Sequence, residues 1–303
     1  YKLSEEKAAT WPGYKASMPN APLIAATFDK DIQRGAGQLI GNHSIWNGGA
    51  VIWAGGANLH RAPYEGRTHE YFTEDPILSA YALEEMVAGG REFGCLIGPK
   101  HFAFNAIEYN RYGLSEYMTE QTARETELRS FQKAYESGEC LATMTAFNRI
   151  GCSNLNAHEG LMQNILRKEW GYKGLISTDM VNGQNYFLPG ECILGGITMM
   201  ANGGGQKADL KTEWVDYEAT NIAKDKLLNE HLHQNMKYQW YAYANSNLLN
   251  GMDGSTKVIS VTPSWQVMFN VLTVSFSAIL AASVGLMAFA SIKGKEEKEE
   301  EKE

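Results

Sequence analysis

The alternation of short apolar segments with longer amphipathic ones constrains the fold more than any other feature of the sequence. Five apolar runs have the length of strands and lack the polar alternation of a half-solvated sheet. They are Ala50–Ile52, Cys95–Ile97, Leu141–Phe147, Gly174–Thr178 and Leu194–Met200. Helical patterns lie near Ile32–Asn42, Ile77–Gly90, Thr119–Ser137 and Leu161–Trp170. Buried strands separated by helices predict an α/β fold with a parallel sheet.

Two architectures satisfy this pattern, the doubly wound sheet and the TIM barrel, because both alternate parallel strands with helices. Five strands are too few for a closed eight-stranded barrel, so part of such a barrel would lie upstream of Tyr1. The chain begins with Tyr1 in place of Met, and no basic-then-apolar leader follows. We therefore expect the chain to start within a longer product.

The clearest boundary lies near the C-terminus, where residues 265–292 contain no charged side chain. About 20 apolar residues span the hydrocarbon core of a bilayer, so this run predicts a transmembrane helix. Lys293 and Lys295 follow it, and the positive-inside bias places them in the cytoplasm of a single-pass cell-membrane protein whose part before Trp265 is extracellular. The predicted parts are a folded domain over 1–250, a linker over 251–264, the membrane helix over 265–292 and a disordered charged tail over 293–303.

Charge and residue spacing exclude several kinds of ligand. The net charge is −8 and no basic cluster is present, which argues against nucleic acid as a partner. His231 and His233 would point about 200° apart on a helix, so they do not form a metal pair. The cysteines, at 95, 140, 152 and 192, match no zinc or haem spacing. We expect no metal and no organic cofactor.

Charged and polar residues follow several predicted strands, where functional side chains of parallel α/β proteins collect. The first strand-end segment, Ala57–Pro76, is ANLHRAPYEGRTHEYFTEDP, and the second, Lys100–Arg111, is KHFAFNAIEYNR. The fourth strand ends in STDM at Ser177–Met180. A carboxylate, several cations and a histidine therefore meet at one face. Such groups make strong directional hydrogen bonds and suit a polyhydroxylated substrate.

These segments resemble the barrel domain of family 3 glycoside hydrolases, the β-glucosidase group. NLHRAPYEGRTHEYFTEDP is similar to the family segment built on N-x-x-R-x-P, G-R and E-D-P, and KHFAFNAIEYNR to its Lys-His-Phe segment. MTAFNRIG and LMQNILRKEWGYKGLISTDM resemble the stretch that leads to the nucleophile. The resemblance covers most of the chain, from the region of Asn20 to that of Asn250, and it implies a (β/α)8 TIM-type barrel, here incomplete at its N-terminus.

The resemblance implies a retaining, exo-acting β-glycosidase that hydrolyses terminal β-linked sugars of glycosides or oligosaccharides by double displacement. Asp179 is then the nucleophile. Lys100, His101 and Arg67 correspond to family residues that bind hydroxyls of the sugar. In the first strand-end segment, we expect the loop to be held in shape by four residues, His60, Arg61, Glu74 and Asp75.

The sequence departs from the family pattern at several positions. Phe147 stands where a tyrosine is usual, so this substrate-binding position keeps an apolar wall without the hydroxyl. Met180 stands where an aromatic residue often follows the nucleophile, which weakens stacking in the leaving-group site. Ala106 and Ile107 replace polar residues, and the family's Asp-Gly-Pro segment is not found.

The general acid/base is the largest gap, because in this family it usually comes from a second domain. That domain would lie upstream of Tyr1, as in permuted members, or belong to another chain. Local substitutes are Glu65, Glu108 and Glu191. One alternative is a β-N-acetylhexosaminidase of the same family, although the His-Asp pair of such enzymes is missing from the second strand-end segment. The other is an inactive sugar-binding or scaffolding protein, or an inert fragment.

Overall fold

The computed structural model describes residues 18–105, 107–180, 187–201, 223–249 and 262–300, with side chains of the last range described up to Lys293. The chain divides into two compact units, Tyr1–Gly251 and Met252–Glu303. Most of the predicted linker, 251–261, lies outside the described residues, as does Ala106.

The described part of the first unit contains seven α-helices and seven strands. Its described helices are α1 Ala21–Ala25, α2 Lys30–Asn47, α3 Pro76–Arg91, α4 Glu120–Glu125, α5 Arg129–Glu136, α6 Pro189–Gly195 and α7 Lys226–Ala244. Its described strands are β1 Val51–Gly56, β2 Leu96–Lys100, β3 Ser115–Glu116, β4 Ala142–Met144, β5 Arg149–Ile150, β6 Ser153–Asn154 and β7 Leu175–Ser177. A 3-10 turn at Leu155–Ala157 and a π-helix at Gly160–Glu169 precede β7.

The four longer strands lie side by side in chain order. β1 pairs with β2 and β4 pairs with β7, both in parallel. A parallel bridge between Phe102 and Thr145 joins the ends of β2 and β4. Further parallel bridges add Tyr71 beside Gly56 and Met199 beside Ser177. Neighbours that follow each other in sequence, without a reversal, are the arrangement of a TIM barrel and not of a doubly wound sheet.

An aromatic cluster anchors the chain directly after β2. The ring of Phe102 lies 5.4 Å from Phe131, 5.3 Å from Tyr135 and 6.1 Å from Trp170, all at steep edge angles. All four side chains are buried. Edge-to-face packing of this kind adds to the burial of large apolar surface. It therefore fixes the backbone that carries the neighbouring His101.

Two glycines let helices α2 and α3 pack with their backbones in contact. A Cβ atom on Gly37 would overlap the carbonyl oxygen of Met86, and one on Gly89 would overlap that of Arg34. Any larger residue at either position would push the helices apart. The close packing sets α3, and with it the end of the first strand-end segment, against the rest of the unit.

Three predicted boundaries are wrong. The strand expected at Leu194–Met200 is a single bridge at Met199, because α6 runs to Gly195 and ends in the left-handed conformation of Gly196, at φ 95°. The helix expected over Thr119–Ser137 is two helices, since the backbone of Thr126 leaves the helical region. The strand expected over Leu141–Phe147 pairs regularly only at Ala142–Met144.

Nearly all of the described part of the second unit is one helix, α8, Ser264–Glu300. Its segment Ser264–Lys293 has a mean hydropathy of 2.0 over its most apolar window, and none of that window is buried within the protein. By length and composition it is a candidate to cross a membrane. The disordered tail predicted from Lys293 is wrong as far as Glu300, because Glu and Lys favour helix and the backbone continues α8.

Candidate active site

The ends of β2 and β7 bring His101 and Asp179 together. His101 follows the last residue of β2, and Asp179 lies two residues beyond β7. The Nε2 atom of His101 is 3.5 Å from Oδ2 of Asp179. Both residues are buried, and Asp179 keeps about a tenth of its side chain accessible. The strand-end argument predicted this meeting, because parallel strands end on one face.

The Asp179 carboxylate has one direct hydrogen bond in the described structure. The backbone N–H of Met180 donates to its Oδ1 at 2.7 Å. Burial raises the pKa of Asp179, and the Met180 N–H and the charges of Arg111, Arg67 and Lys100 oppose that rise. Since these cations act from a distance, the carboxylate is not held in a tight ion pair and its oxygens stay available for bonding.

The cations near Asp179 are instead paired with two glutamates that the sequence analysis did not assign to binding. Glu70 accepts from Nζ of Lys100 at 2.6 Å and from Nε of Arg67 at 2.7 Å. Glu108 accepts from Arg67 at 3.2 Å and from Nη1 of Arg111 at 2.6 Å. Arg67, Glu70, Lys100, Glu108 and Arg111 together form the charge cluster of the site.

The charge cluster is half-buried, with each side chain about a fifth to a quarter exposed. Its cations lower the pKa of Glu70, which burial alone would raise. Three cations face two glutamates and Asp179, so the local charges balance when His101 is neutral. Alternating donors and acceptors of this kind can bind adjacent hydroxyl groups of a sugar ring.

Phe147 and Met180 form the apolar part of the site. Phe147 is buried and stacks on Phe187 with ring centroids 5.4 Å apart and an angle of 8°. The guanidinium of Arg111 lies over its ring at 4.3 Å. The side chain of Met180 is about half exposed. The apolar wall predicted at Phe147 is therefore present and supports a member of the charge cluster.

Three residues predicted to hold the first strand-end loop in shape have polar contacts in the structure. The His60 ring bonds to the carbonyl oxygen of Tyr71 at 2.9 Å, and Asp75 caps the N-terminus of α3. Nε of Arg61 lies 3.1 Å from Oε1 of Glu127 and forms an ion pair with it.

The Glu127 carboxyl is buried and accepts no hydrogen bond from the described residues. Burial raises the pKa of Glu127 to about 7. The protonated carboxyl of Glu127 therefore stabilises the folded state fully at a pH below the ordinary pKa of a glutamate. This stabilisation is lost as the pH rises through 7 and the buried group ionises.

Sequence reasoning missed Glu70, Tyr71, Asn105 and Arg111 as site residues. All four belong to the two strand-end segments, so the signal that located the site included them without ranking them. A cavity of about 270 Å³ adjoins Glu70 and Lys100. Within the described residues, His, Cys, Asp and Glu side chains form no group suited to a metal ion.

The chain is similar to known proteins over more than half of its length. Residues 11–192 match the family described as "Glycosyl hydrolase family 3 N terminal domain". Beta-glucosidase B of Emericella nidulans is 33% identical over 175 residues, which are 57% of this chain and 21% of that enzyme. The beta-glucosidase of Kluyveromyces marxianus is 29% identical over 216 residues, covering 68% of this chain and 26% of the enzyme.

A solved structure is similar over most of the chain. Beta-glucosidase 3B from Thermotoga neapolitana, in complex with glucose, matches with a TM-score of 0.71 and 25% identity. The match covers 79% of this chain and 33% of the other. The chain thus spans about a fifth to a third of the length of these relatives. Sheet order and structural likeness agree that the first unit has a TIM-barrel-like fold.

Proposed function

Because the chain belongs to family 3 of the glycosyl hydrolases, we propose that it carries the nucleophile of a retaining, exo-acting β-glycosidase that acts on terminal β-glucosides. The observation that supports this most directly is Asp179, a strand-end carboxylate beside His101 and near the cations of the charge cluster. The two relatives described above are named as beta-glucosidases, which favours glucose over N-acetylhexosamine.

In the proposed reaction, a carboxylate oxygen of Asp179 attacks the anomeric carbon of the bound sugar. The bond to the leaving-group oxygen breaks as the Asp179–sugar bond forms, and that oxygen takes a proton. Water then attacks the same carbon, gives up a proton, and releases Asp179 as a carboxylate. Two displacements restore the β-configuration.

The charge cluster and His101 have a separate proposed role in sugar binding. Lys100 and Arg67 each retain donor hydrogens beyond those that contact Glu70, so they can reach hydroxyls of the sugar. Glu70 orients both cations through its two carboxylate oxygens. The ring of Phe147 packs against the guanidinium of Arg111 and helps to hold it in position. The site would thus hold an extended array of hydroxyls next to Asp179.

The stereochemistry of the first product tests the mechanism. The full chain is incubated with an aryl β-glucoside, and proton NMR follows the anomeric signal before mutarotation. We expect β-glucose to appear first, with slower or no release from the α-glucoside and from the aryl β-N-acetylglucosaminide. Initial α-glucose would contradict double displacement, preference for the N-acetyl substrate would favour the hexosaminidase, and no hydrolysis at all would favour the inactive alternative.

We further propose that α8 anchors the protein in the cell membrane as a single pass. The apolar segment Ser264–Lys293 is 30 residues long, about 45 Å as a helix, which exceeds a hydrocarbon core of about 30 Å. Lys293 and Lys295 at its end favour a cytoplasmic C-terminus, and the part of the chain before Trp265 would then lie outside.

Protease protection measures this orientation. With an epitope tag after Glu303, protease added to intact cells is expected to shorten the tagged product to a small membrane fragment. The same treatment after detergent lysis should remove the tag itself, which serves as the control. A full-length tagged chain in intact cells, or a lost tag, would contradict the orientation. Release of the whole chain by carbonate washing would contradict the anchor.

A proton donor for the leaving group is the remaining requirement. We propose that it comes from outside the described residues, from a second domain or another chain. Glu70 and Glu108, the carboxylates of the charge cluster, are each paired with two positive side chains. Burial alone would raise the pKa of Glu70, but Lys100 and Arg67 lower it, which favours the ionised form that has no proton to donate.

A further inference from the structure

A row of buried polar contacts runs from the charge cluster to Asp179. The amide nitrogen of Asn105 lies 3.0 Å from Oε1 of Glu108 and 2.6 Å from the hydroxyl of Tyr71. The Tyr71 hydroxyl lies 3.2 Å from Nδ1 of His101. The Nε2 atom of His101 then faces Asp179. Tyr71, Asn105 and His101 are each less than 5% exposed, so water does not compete for these contacts.

The direction of each hydrogen bond follows from the one before it. Glu108 is bound by Arg67 and Arg111, so its carboxylate accepts and does not donate. The Asn105 group that touches it must therefore be the NH2 end of the amide. That same nitrogen contacts Tyr71, so the Tyr71 oxygen accepts from it.

The proton of Tyr71 is then directed to His101. Burial raises the pKa of Tyr71, so its hydroxyl stays protonated. Its oxygen already accepts from Asn105, and its O–H points to Nδ1 of His101. In this arrangement Nδ1 is an acceptor and carries no hydrogen.

His101 is neutral, and its single ring proton must lie on the other nitrogen. Burial lowers the pKa of His101 well below its usual value, and the neighbouring charges of Arg67, Lys100 and Arg111 lower it further. Asp179 is the anionic group that faces it. A neutral imidazole with an unprotonated Nδ1 has its hydrogen on Nε2.

We propose that Tyr71 is a positioning residue of this site: its hydroxyl, oriented by Asn105, holds His101 in the tautomer whose Nε2–H faces Asp179. In the other tautomer a lone pair would face the carboxylate and repel it. At 3.5 Å the Nε2–H contact is long, and it can shorten or be shared with a sugar hydroxyl when substrate binds. The catalytic consequence rests on the proposed function, whereas the tautomer does not.

Nitrogen NMR of the full chain, labelled in histidine and solubilised in detergent, tests the tautomer directly. Loss of one signal in His101→Asn identifies His101 among the seven histidines. We expect the wild type to show a protonated Nε2 and an unprotonated Nδ1, unchanged on acidification to mildly acidic pH. Tyr71→Phe is expected to give a mixture of both tautomers. A protonated Nδ1 in the wild type, or an unchanged tautomer in Tyr71→Phe, would overturn the proposal.

A matched control and a kinetic readout separate positioning from packing. Tyr135→Phe also removes a buried phenol hydroxyl, one that contacts Thr143 at 2.6 Å and not His101. It should leave the His101 tautomer unchanged. With an aryl β-glucoside, Tyr71→Phe should lower kcat by about tenfold with little change in KM, and Tyr135→Phe should keep the wild-type kcat. Equal kcat losses in the two variants would contradict positioning.

The two hypotheses fail in different ways. An inactive wild-type chain whose His101 carries its proton on Nε2 would contradict the proposed function and support the tautomer. An active chain whose His101 carries its proton on Nδ1 would support the proposed function and contradict the tautomer. Should Tyr71→Phe not fold, the wild-type spectrum alone still decides.

Discussion

Replacing Asp179 with asparagine is expected to lower hydrolysis of an aryl β-glucoside by about 10⁴-fold or more, because an amide does not form the glycosyl ester. The fold should survive, since the asparagine oxygen can still accept from the N–H of Met180. Initial rates with an aryl β-glucoside measure the loss, and thermal melting checks the fold. Near-normal turnover by the variant would remove Asp179 from the mechanism.

Two companion variants sharpen this test. Asp225→Asn changes the same chemical group at the N-cap of α7, where asparagine is an equally good cap, and should keep wild-type activity. Asp179→Ala opens space on the nucleophile's side of the sugar. Added azide can then attack directly from that side, and we expect an α-glucosyl azide as the product. A β-azide from this variant would show that another nucleophile acts.

The second large effect should depend on the leaving group. We expect the chain alone to cleave a dinitrophenyl β-glucoside at least about 10³-fold faster than a glucose disaccharide, because dinitrophenolate leaves without a proton whereas a sugar alkoxide does not. The measurement compares kcat/KM for the two substrates. In the described site, Lys100 and Arg67 lower the pKa of Glu70 against the effect of burial, so its ionised carboxylate has no proton to donate.

Efficient disaccharide hydrolysis would contradict an external acid and point to a local one. Glu65 accepts hydrogen bonds from the backbone N–H groups of Arg61 and Ala62, and burial raises its pKa. Glu191 lies exposed in the first turn of α6. Glu65→Gln and Glu191→Gln would then identify the donor: the responsible variant would lose the disaccharide and keep the dinitrophenyl substrate. Glu159→Gln provides a control glutamate outside the strand-end segments.

Much of the architecture could be predicted from sequence because the responsible patterns are local. Apolar runs such as Cys95–Ile97 and Gly174–Thr178 have to be buried, and the structure has parallel strands there. Predictions failed where a local pattern was ambiguous. Leu194–Met200 is as apolar as a strand, but Pro189 favours the start of a helix and Gly196 ends it. The charged tail lacks apolar residues and still continues α8.

The meeting of His101 with Asp179 was predictable for a topological reason. Every strand of a parallel barrel ends on the same face, so residues that follow strand ends converge without any knowledge of side-chain packing. The helix α8 is likewise evident from composition alone. The nucleophile, binding and membrane roles assigned to these residues stay predictions.

Sequence alone thus determined the parallel sheet, the face that carries the site and the residue types gathered there. Only the tertiary structure decided which cation pairs with which glutamate, and that the Tyr71 hydroxyl contacts the ring of His101. Tyr71 and His101 are 30 residues apart in the sequence, and Arg67 and Glu108 are 41 residues apart. A hydrogen bond between such remote groups forms only when the donor–acceptor distance is right to within a few tenths of an ångström. A local sequence pattern does not predict those distances, because the packing of the whole unit sets them.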